Sequence, residues 1–347
     1  MVDMSGALEN QPANSAAKLS DLVSIRPTNE AVEREKFIAS LAAGEKYEPQ
    51  LKYPSATRAE AVRAKCDEHL SDEFAELARA ILDGVIRDHG SEEKYQASVW
   101  GQPLETDQVQ QACDEYLAAN ELTDKVSFVW SPETLVTMCA GSKVHLVTRP
   151  GYYREKRLSS LLDHEVGTHF VRSHNHKQAF AGKRWAARRG WLLATEEGLA
   201  TLNTHLTYSD KRIWIPALHY HAALLASKLP FSELWKELGK YLGADDHERL
   251  WTTCLRVKRG VSDTGEPIGY YKDQSNFAGA IVLLKQRHSV DFELLHCVRV
   301  SIEDFPSVSG VARNALAAGS VLRPAFVRDD AAYRAALDEM AVANGLA

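Results

Sequence analysis

At 347 residues, with 45% hydrophobic and 25% charged residues and only 12 prolines, the chain can bury a large core in one unit or two intimately packed ones. A formal net charge of −6 marks an ordinary soluble protein; the lack of any apolar run of roughly 18 residues, or of a basic-then-apolar start, excludes a membrane span or secretory signal. The five cysteines, Cys66, Cys113, Cys139, Cys254 and Cys297, are scattered without a C-x-x-C pair, which fits a reducing cytosol and excludes a cysteine metal site evident in sequence.

Residues 1–25, rich in Ser, Ala, Asn and Gln, read as a flexible leader, and 26–347 as a single compact catalytic domain without internal repeat or linker. From Asn29 to Leu117 the pattern is helical: Phe74, Leu77, Ile81, Leu82, Val85 and Ile86 form an apolar stripe, with Ser71 as its expected cap. Another helix follows Pro103 through Val109, Cys113 and Leu117. Between Lys125 and Arg149 the period switches to two. Val126, Phe128 and Trp130, then Val144, Leu146 and Thr148 beyond the Gly141-Ser142 turn, predict two strands of a small sheet.

After Pro150 comes an apolar helix carrying His164-Glu165-Val166-Gly167-Thr168-His169. Neutral imidazoles suit Zn²⁺, a third protein ligand leaves a position for water, and an unligated Glu165 can take that water's proton. The interval is one residue longer than in the familiar zinc helix. Four residues along an α-helix leave two side chains roughly 40° apart, and five leave them about 140° apart. The pair converges only if the helix carries a π-bulge or loosens locally, and Gly167, between the two histidines, tolerates such distortion best. Downstream, Thr195 reads as an N-cap before Glu196 and Glu197, and Leu199, Leu202 and Leu206 give that helix one apolar face. Either glutamate could complete a His₂Glu set; His174, with His176 close behind, is the competing third ligand.

HEVGTH followed about thirty residues later by TEEGLA resembles the microtubule-associated tyrosine carboxypeptidases, whose domain is shared with bacterial proteins named for a QEGLP motif. Tyr153-Arg154-Glu155, Arg256-Val257-Lys258-Arg259-Gly260 with Asp263-Thr264, and Lys272-Asp273-Gln274 extend the likeness over most of 30–330. The resemblance implies an α+β, mainly α, zincin-like metallopeptidase with a small sheet beside the zinc helix. It implies one Zn²⁺ held by His164, His169 and Glu197, with Glu165 as catalytic base and Glu196 as runner-up ligand or supporting group. It also suggests Val144–Thr148 as a strand edge that could align an extended peptide.

Residues 149–190 hold ten Lys/Arg against Glu155, Asp163 and Glu165, formally +7, which leaves −13 for the remainder. Such a region attracts a polyanion. No basic helix with interleaved aromatics appears, so an acidic peptide tail is expected rather than nucleic acid. Further helices are predicted from Trp214-Ile215-Pro216, over Phe231–Leu242 ended by Gly243, from Asp245 to about Arg259 with Gly260 as C′ residue, through Ile281 and Leu284, and from Asp329 to Gly345. Tyr220, matching a tyrosine associated with the family, or His221 could stabilise an oxyanion. Arg256, Lys258, Arg259 and Lys272 are the candidates for reading a terminal carboxylate, and the loop Val261–Lys272 for an aromatic wall beside it.

The reading is a cytoplasmic, possibly cytoskeleton-associated, zinc carboxypeptidase. By resemblance its substrate is the C-terminal Tyr of α-tubulin on microtubules. The rivals are a peptidase for another acidic C-terminus, such as tubulin glutamate removal, and a non-catalytic metal-stabilised binding or regulatory protein.

Overall fold

The computed structural model describes residues 21 and 23–346, apart from 133, 135, 150 and 182–190. The predicted leader therefore lies mostly outside the described residues, although its last residue, Ile25, is fully buried beside Ala59, Val62 and Tyr270. The described chain is mainly helical, with one three-stranded sheet.

The N-terminal third forms α1 (Glu30–Ala43), α2 (Ala56–Arg63), α3 (Ala75–His89), α4 (Glu92–Trp100) and α5 (Thr106–Ala119). The expected stripe lies on α3, where Ala78, Ile81, Leu82 and Val85 are buried. That helix starts at Ala75 and not at Ser71, because the Ser71 hydroxyl accepts from the Glu73 amide in the preceding turn. Helix α5 opens with a reciprocal capping box between Glu105 and Gln108, which satisfies two amides otherwise left open.

Strands β1 (Ser127–Ser131), β2 (Met138–Ala140) and β3 (Lys143–Val147) are ordered β1-β3-β2. β1 runs parallel to β3, and β2 antiparallel to it. The two expected strands are thus neighbours; the third was missed because three residues carry no period-two signature. One expectation is narrowed. β3 is paired with β1 along its length and with β2 over Lys143–His145, so within Val144–Thr148 the first two residues are closed to a peptide on both sides, and the edge nearest the histidine helix is β2.

Helix α6 (Glu155–Leu162) runs through a π-helical segment, Asp163–Phe170, into α7 (Val171–Ala179). Then come α8 (Leu192–His205), α9 (Trp214–Ala226), α10 (Phe231–Leu242), α11 (His247–Lys258), α12 (Gln274–Lys285), α13 (Phe292–His296), α14 (Phe305–Ala317), α15 (Ala325–Arg328) and α16 (Asp330–Ala343). α14 was not anticipated; Pro306 in its first turn suits a helix start, where the missing amide costs nothing. A larger apolar cluster gathers around α3, α9 and α12. A smaller one joins α5, the sheet and the buried face of α6. The histidine segment lies against the smaller cluster, and α8 contributes Leu199 and Leu202 to the larger.

Helices α8 and α12 cross at Gly198 and Gly279. A Cβ built on Gly279 would lie 1.8 Å from the Ala194 carbonyl oxygen, and one on Gly198 would lie 2.3 Å from the Gly279 carbonyl carbon. Only glycine permits two backbones to approach this closely. The crossing brings Glu197 on α8 beside Asn276 on α12.

Candidate metal centre

The five-residue interval between the histidines is accommodated by the first of the two distortions that the spacing left open. Asp163–Phe170 is π-helical, so residues five apart line up, and the His164 and His169 rings stand 4.9 Å apart, edge to face. Gly167 lies inside this segment and is also needed for its size. A Cβ there would meet the Phe326 ring at 2.6 Å and the Tyr116 hydroxyl at 2.8 Å, so the position demands smallness. Tyr116 in turn donates to Asp163 at 2.9 Å; burial pushes the Asp163 carboxyl up to about 7, with that hydrogen bond opposing.

Donor atoms of His164, His169 and Glu197 lie within 4.8 Å of one another, the one such cluster among the described residues. Glu197 Oε2 is 3.8 Å from His164 Nε2 and 3.7 Å from His169 Nε2. The side chains of His164 and His169 are each 17% exposed, and that of Glu197 is 16% exposed, open enough to be reached from solvent. Each imidazole is oriented from behind by α8. His164 Nδ1 donates to Thr204 Oγ1 at 3.1 Å, because that hydroxyl spends its own proton on the Ala200 carbonyl. His169 Nδ1 donates to Glu196 Oε1 at 3.1 Å. Both Nε2 atoms face Glu197 and are the ones that would ligate an ion once deprotonated.

This donor set fits a divalent zinc-type ion: two neutral imidazoles and one carboxylate, with partners that fix both tautomers. Its electrostatics call for positive charge. Burial works against a protonated His169, but Glu196 and Glu197 outweigh it and raise the pKa to about 9. Burial likewise opposes ionisation of Glu197, yet Lys272 and the two histidines hold its carboxyl well below the ordinary range. Glu165 stands beside the cluster, with Oε1 3.9 Å from His164 Nε2, while its Oε2 accepts the Cys139 amide of β2 at 2.7 Å.

Glu196 points away from the shared donors. It is buried and tied to His169, to fully buried Arg172 and, at 3.3 Å, to Arg299. Burial raises its carboxyl, but the two arginines outweigh this and keep it ionised. The α8 helix begins at Leu192, so Thr195 is not its cap; the Thr195 hydroxyl accepts from the Ile302 amide at 2.8 Å. His174 lies outside the cluster, its ring 5.9 Å from that of Phe170, and His176 accepts from the Arg299 amide.

The four cationic candidates separate. Lys272 is 39% exposed with Nζ 3.8 Å from Glu197 Oε1, at the cluster itself. Arg256 and Arg259 both pair with Asp273, at 2.7 and 3.4 Å. Lys258 is not available to a substrate. It is fully buried, its ammonium donates to the carbonyls of Ala226, Leu229, Glu266 and Ile268, and burial draws its pKa down to about 8. Tyr220 is also withdrawn from any oxyanion role: it is fully buried, donates to the Ser71 carbonyl at 2.5 Å and accepts the Phe74 amide. His221 packs edge-on to Tyr241. Tyr270 and Tyr271 face inward and are buried, so the expected aromatic wall of that loop is not formed by them.

The basic stretch is also less available than its charge implies. Arg172 is interior, and Arg157 sits over the rings of Trp100 and Tyr152 at 4.5 and 4.4 Å. Arg154 donates to the Gly101 carbonyl. Arg149, Lys156 and Lys177 are exposed; Lys183, Arg184, Arg188 and Arg189 lie outside the described residues. Sequence reasoning missed Thr204, Arg172, Arg299, Asn276 and the Cys139 amide. Thr204 had a usable signal, seven residues after Glu197 and so two turns along the same face.

The chain matches the family described as microtubule-associated tyrosine carboxypeptidase over residues 65–344. It is 31% identical to microtubule-associated tyrosine carboxypeptidase 1 of Mus musculus over 338 residues, covering 94% of this chain and 69% of that protein. The Homo sapiens protein of the same name is 31% identical over 334 residues, covering 94% of this chain and 68% of its own length. A putative tyrosine carboxypeptidase of Mus musculus is 30% identical over 344 residues, covering 96% of this chain and 63% of that protein. A family match across most of the sequence, with relatives aligned along nearly all of it, means that this chain belongs to the microtubule-associated tyrosine carboxypeptidase family.

Proposed function

We propose that this chain is a zinc carboxypeptidase of zincin-like design, removing the last residue of an acidic peptide tail, with the C-terminal tyrosine of α-tubulin as the first substrate to test. The names of its relatives support the reaction class and a cytoskeletal setting. The observation that carries the reading is the convergence of His164, His169 and Glu197 with a separate carboxylate, Glu165, at their side.

Those three side chains would hold the ion, which when bound supplies Lewis acidity that polarises the scissile carbonyl and activates water near neutral pH. Glu165 moves the proton. With Oε2 engaged by the Cys139 amide, Oε1 faces the cluster to accept a proton from the attacking water and return it to the departing amine. Lys272, partly exposed beside Glu197, would pair with the substrate's terminal carboxylate, and Arg256 and Arg259, steadied by Asp273, would add positive charge near it.

Mass spectrometry of tail peptides ending in Tyr, Phe or Glu, with and without chelator, tests the reading. Loss of terminal Tyr that chelator abolishes and zinc restores is the expected result. Release of Glu alone would reassign the substrate, and intact peptides after incubation with zinc-loaded protein would leave a binding module.

A further inference from the structure

Behind the histidine segment, on the side away from the donors, runs a closed polar chain in an otherwise apolar interior. The Thr168 hydroxyl donates to the Asp163 carbonyl at 2.8 Å, spanning the same five-residue interval as a π-turn. It accepts from Asn203 Nδ2 at 2.8 Å. The second Nδ2 proton of Asn203 goes to His296 Nε2 at 3.0 Å, and its Oδ1 accepts the Tyr333 hydroxyl at 2.7 Å. His296 Nδ1 closes the chain on the Phe292 carbonyl at 2.7 Å, so its Nε2 is an acceptor. Thr168 and Asn203 are fully inaccessible to solvent, and every donor in the chain has an acceptor.

A threonine hydroxyl in a regular helix bonds the carbonyl three or four residues back. Here it reaches five back, and it is held there by a side chain from α8, the helix that also carries Glu196, Glu197 and Thr204. We infer that Thr168 and Asn203 are positioning residues: their clasp fixes the π-helical register that makes His164 and His169 converge, and couples that register to the helix supplying the carboxylate. The inference rests on the zinc reading above for its consequence, but the clasp itself is a property of the protein alone. Without the hydroxyl, the segment relaxes toward α-helical pitch, in which the two imidazoles diverge by about 140°. The buried Asn203 amide would then face a methyl group, which favours the relaxed form.

The test compares Thr168→Val, Thr168→Ser and Tyr333→Phe in the full chain, with two readouts. Amide hydrogen exchange over 166–171 is followed in metal-stripped protein, and metal uptake by zinc competition and by the visible spectrum of the cobalt-loaded form. Thr168→Val is expected to speed exchange in that segment, to weaken zinc binding about tenfold or more and to alter the cobalt bands, while Thr168→Ser stays within about threefold of the parent. Tyr333→Phe, which leaves the fold's packing in place and frees one side of Asn203, should speed exchange in the same segment by less. Unchanged exchange in both Thr168→Val and Tyr333→Phe would overturn the clasp, as would a Thr168→Ser variant as impaired as the valine. If Thr168→Val does not fold, the tyrosine variant decides. If the parent chain binds no metal, the zinc reading fails on its own while exchange still reads the clasp.

Discussion

Asp163–Phe170 and α8 face each other across the same cluster, yet the first presents its donors by departing from regular helix and the second by keeping to it. The histidine segment needs a π-turn, stabilised from outside by the Asn203 amide and by packing of Phe326 and Tyr116 over Gly167. The carboxylate helix is an ordinary α-helix whose position is set by backbone contact at Gly198 and Gly279. An irregular element thus relies on polar side chains that a substitution can remove. A regular one relies on the absence of side chains, which a substitution can only spoil by addition.

The largest expected effect separates chemistry from both kinds of scaffolding. Glu165→Gln should bind zinc as the parent does and lose about 10³-fold in turnover, measured by peptide cleavage at saturating substrate. Full turnover in that variant would remove Glu165 from the proton path. Next come the glycines. Gly279→Ala pushes a methyl into main chain and should cost about 3 kcal/mol in urea unfolding, whereas Gly167→Ala meets only side chains, the Phe326 ring and the Tyr116 hydroxyl, which can shift where main chain cannot, and should cost about 1 kcal/mol. Equal costs would mean that the two helices are not held in different ways.

Two lysines sharpen the comparison further. Lys258→Met strands four interior carbonyls and should lower stability by about 3 kcal/mol. Lys272→Met should leave melting nearly unchanged and raise KM about tenfold for a peptide with a free C-terminus, but not for its amide. An acid effect distant from substrate stands apart from these. Burial keeps the His296 imidazole neutral, with its pKa lowered from 6.5 to about 4. The unfolded chain therefore binds the extra proton first. The contribution of this ring is complete above pH 6.5 and declines by up to about 1.4 kcal/mol per pH unit down to about 4, with His176, His205 and His221, also held neutral by burial, acting in the same sense. Chemical denaturation of the parent and of His296→Gln across that range isolates this slope, and equal profiles would show that the ring is not sheltered.

What was legible in the sequence was whatever left a periodic or spaced signature. The apolar stripe of α3, the alternation in β1 and β3, the glycine after α10 and the histidine pair with its downstream glutamates all did so. The five-residue interval even named the distortion required, because helical geometry admits few alternatives. Lys258 was misjudged for a physical reason: lysine is almost never interior, and only the chance meeting of four carbonyls from distant segments makes a home for its charge. Tyr220 was misplaced because a tyrosine that caps loop carbonyls and one that leans over a reaction centre look the same in one dimension. Asn276 and Arg299 reach the site through tertiary packing, and no spacing encodes that.

The tether between Glu165 and the main chain at residue 139 has a different kind of consequence. A donor that belongs to the peptide unit is present whatever side chain the codon specifies, with proline the sole exception. Position 139 can therefore accept other side chains that fit its partly buried place beside the smaller apolar cluster without loosening the Glu165 carboxylate. Cys139→Ser or Cys139→Val should work as well as the parent, whereas Cys139→Pro should leave the carboxylate unmoored.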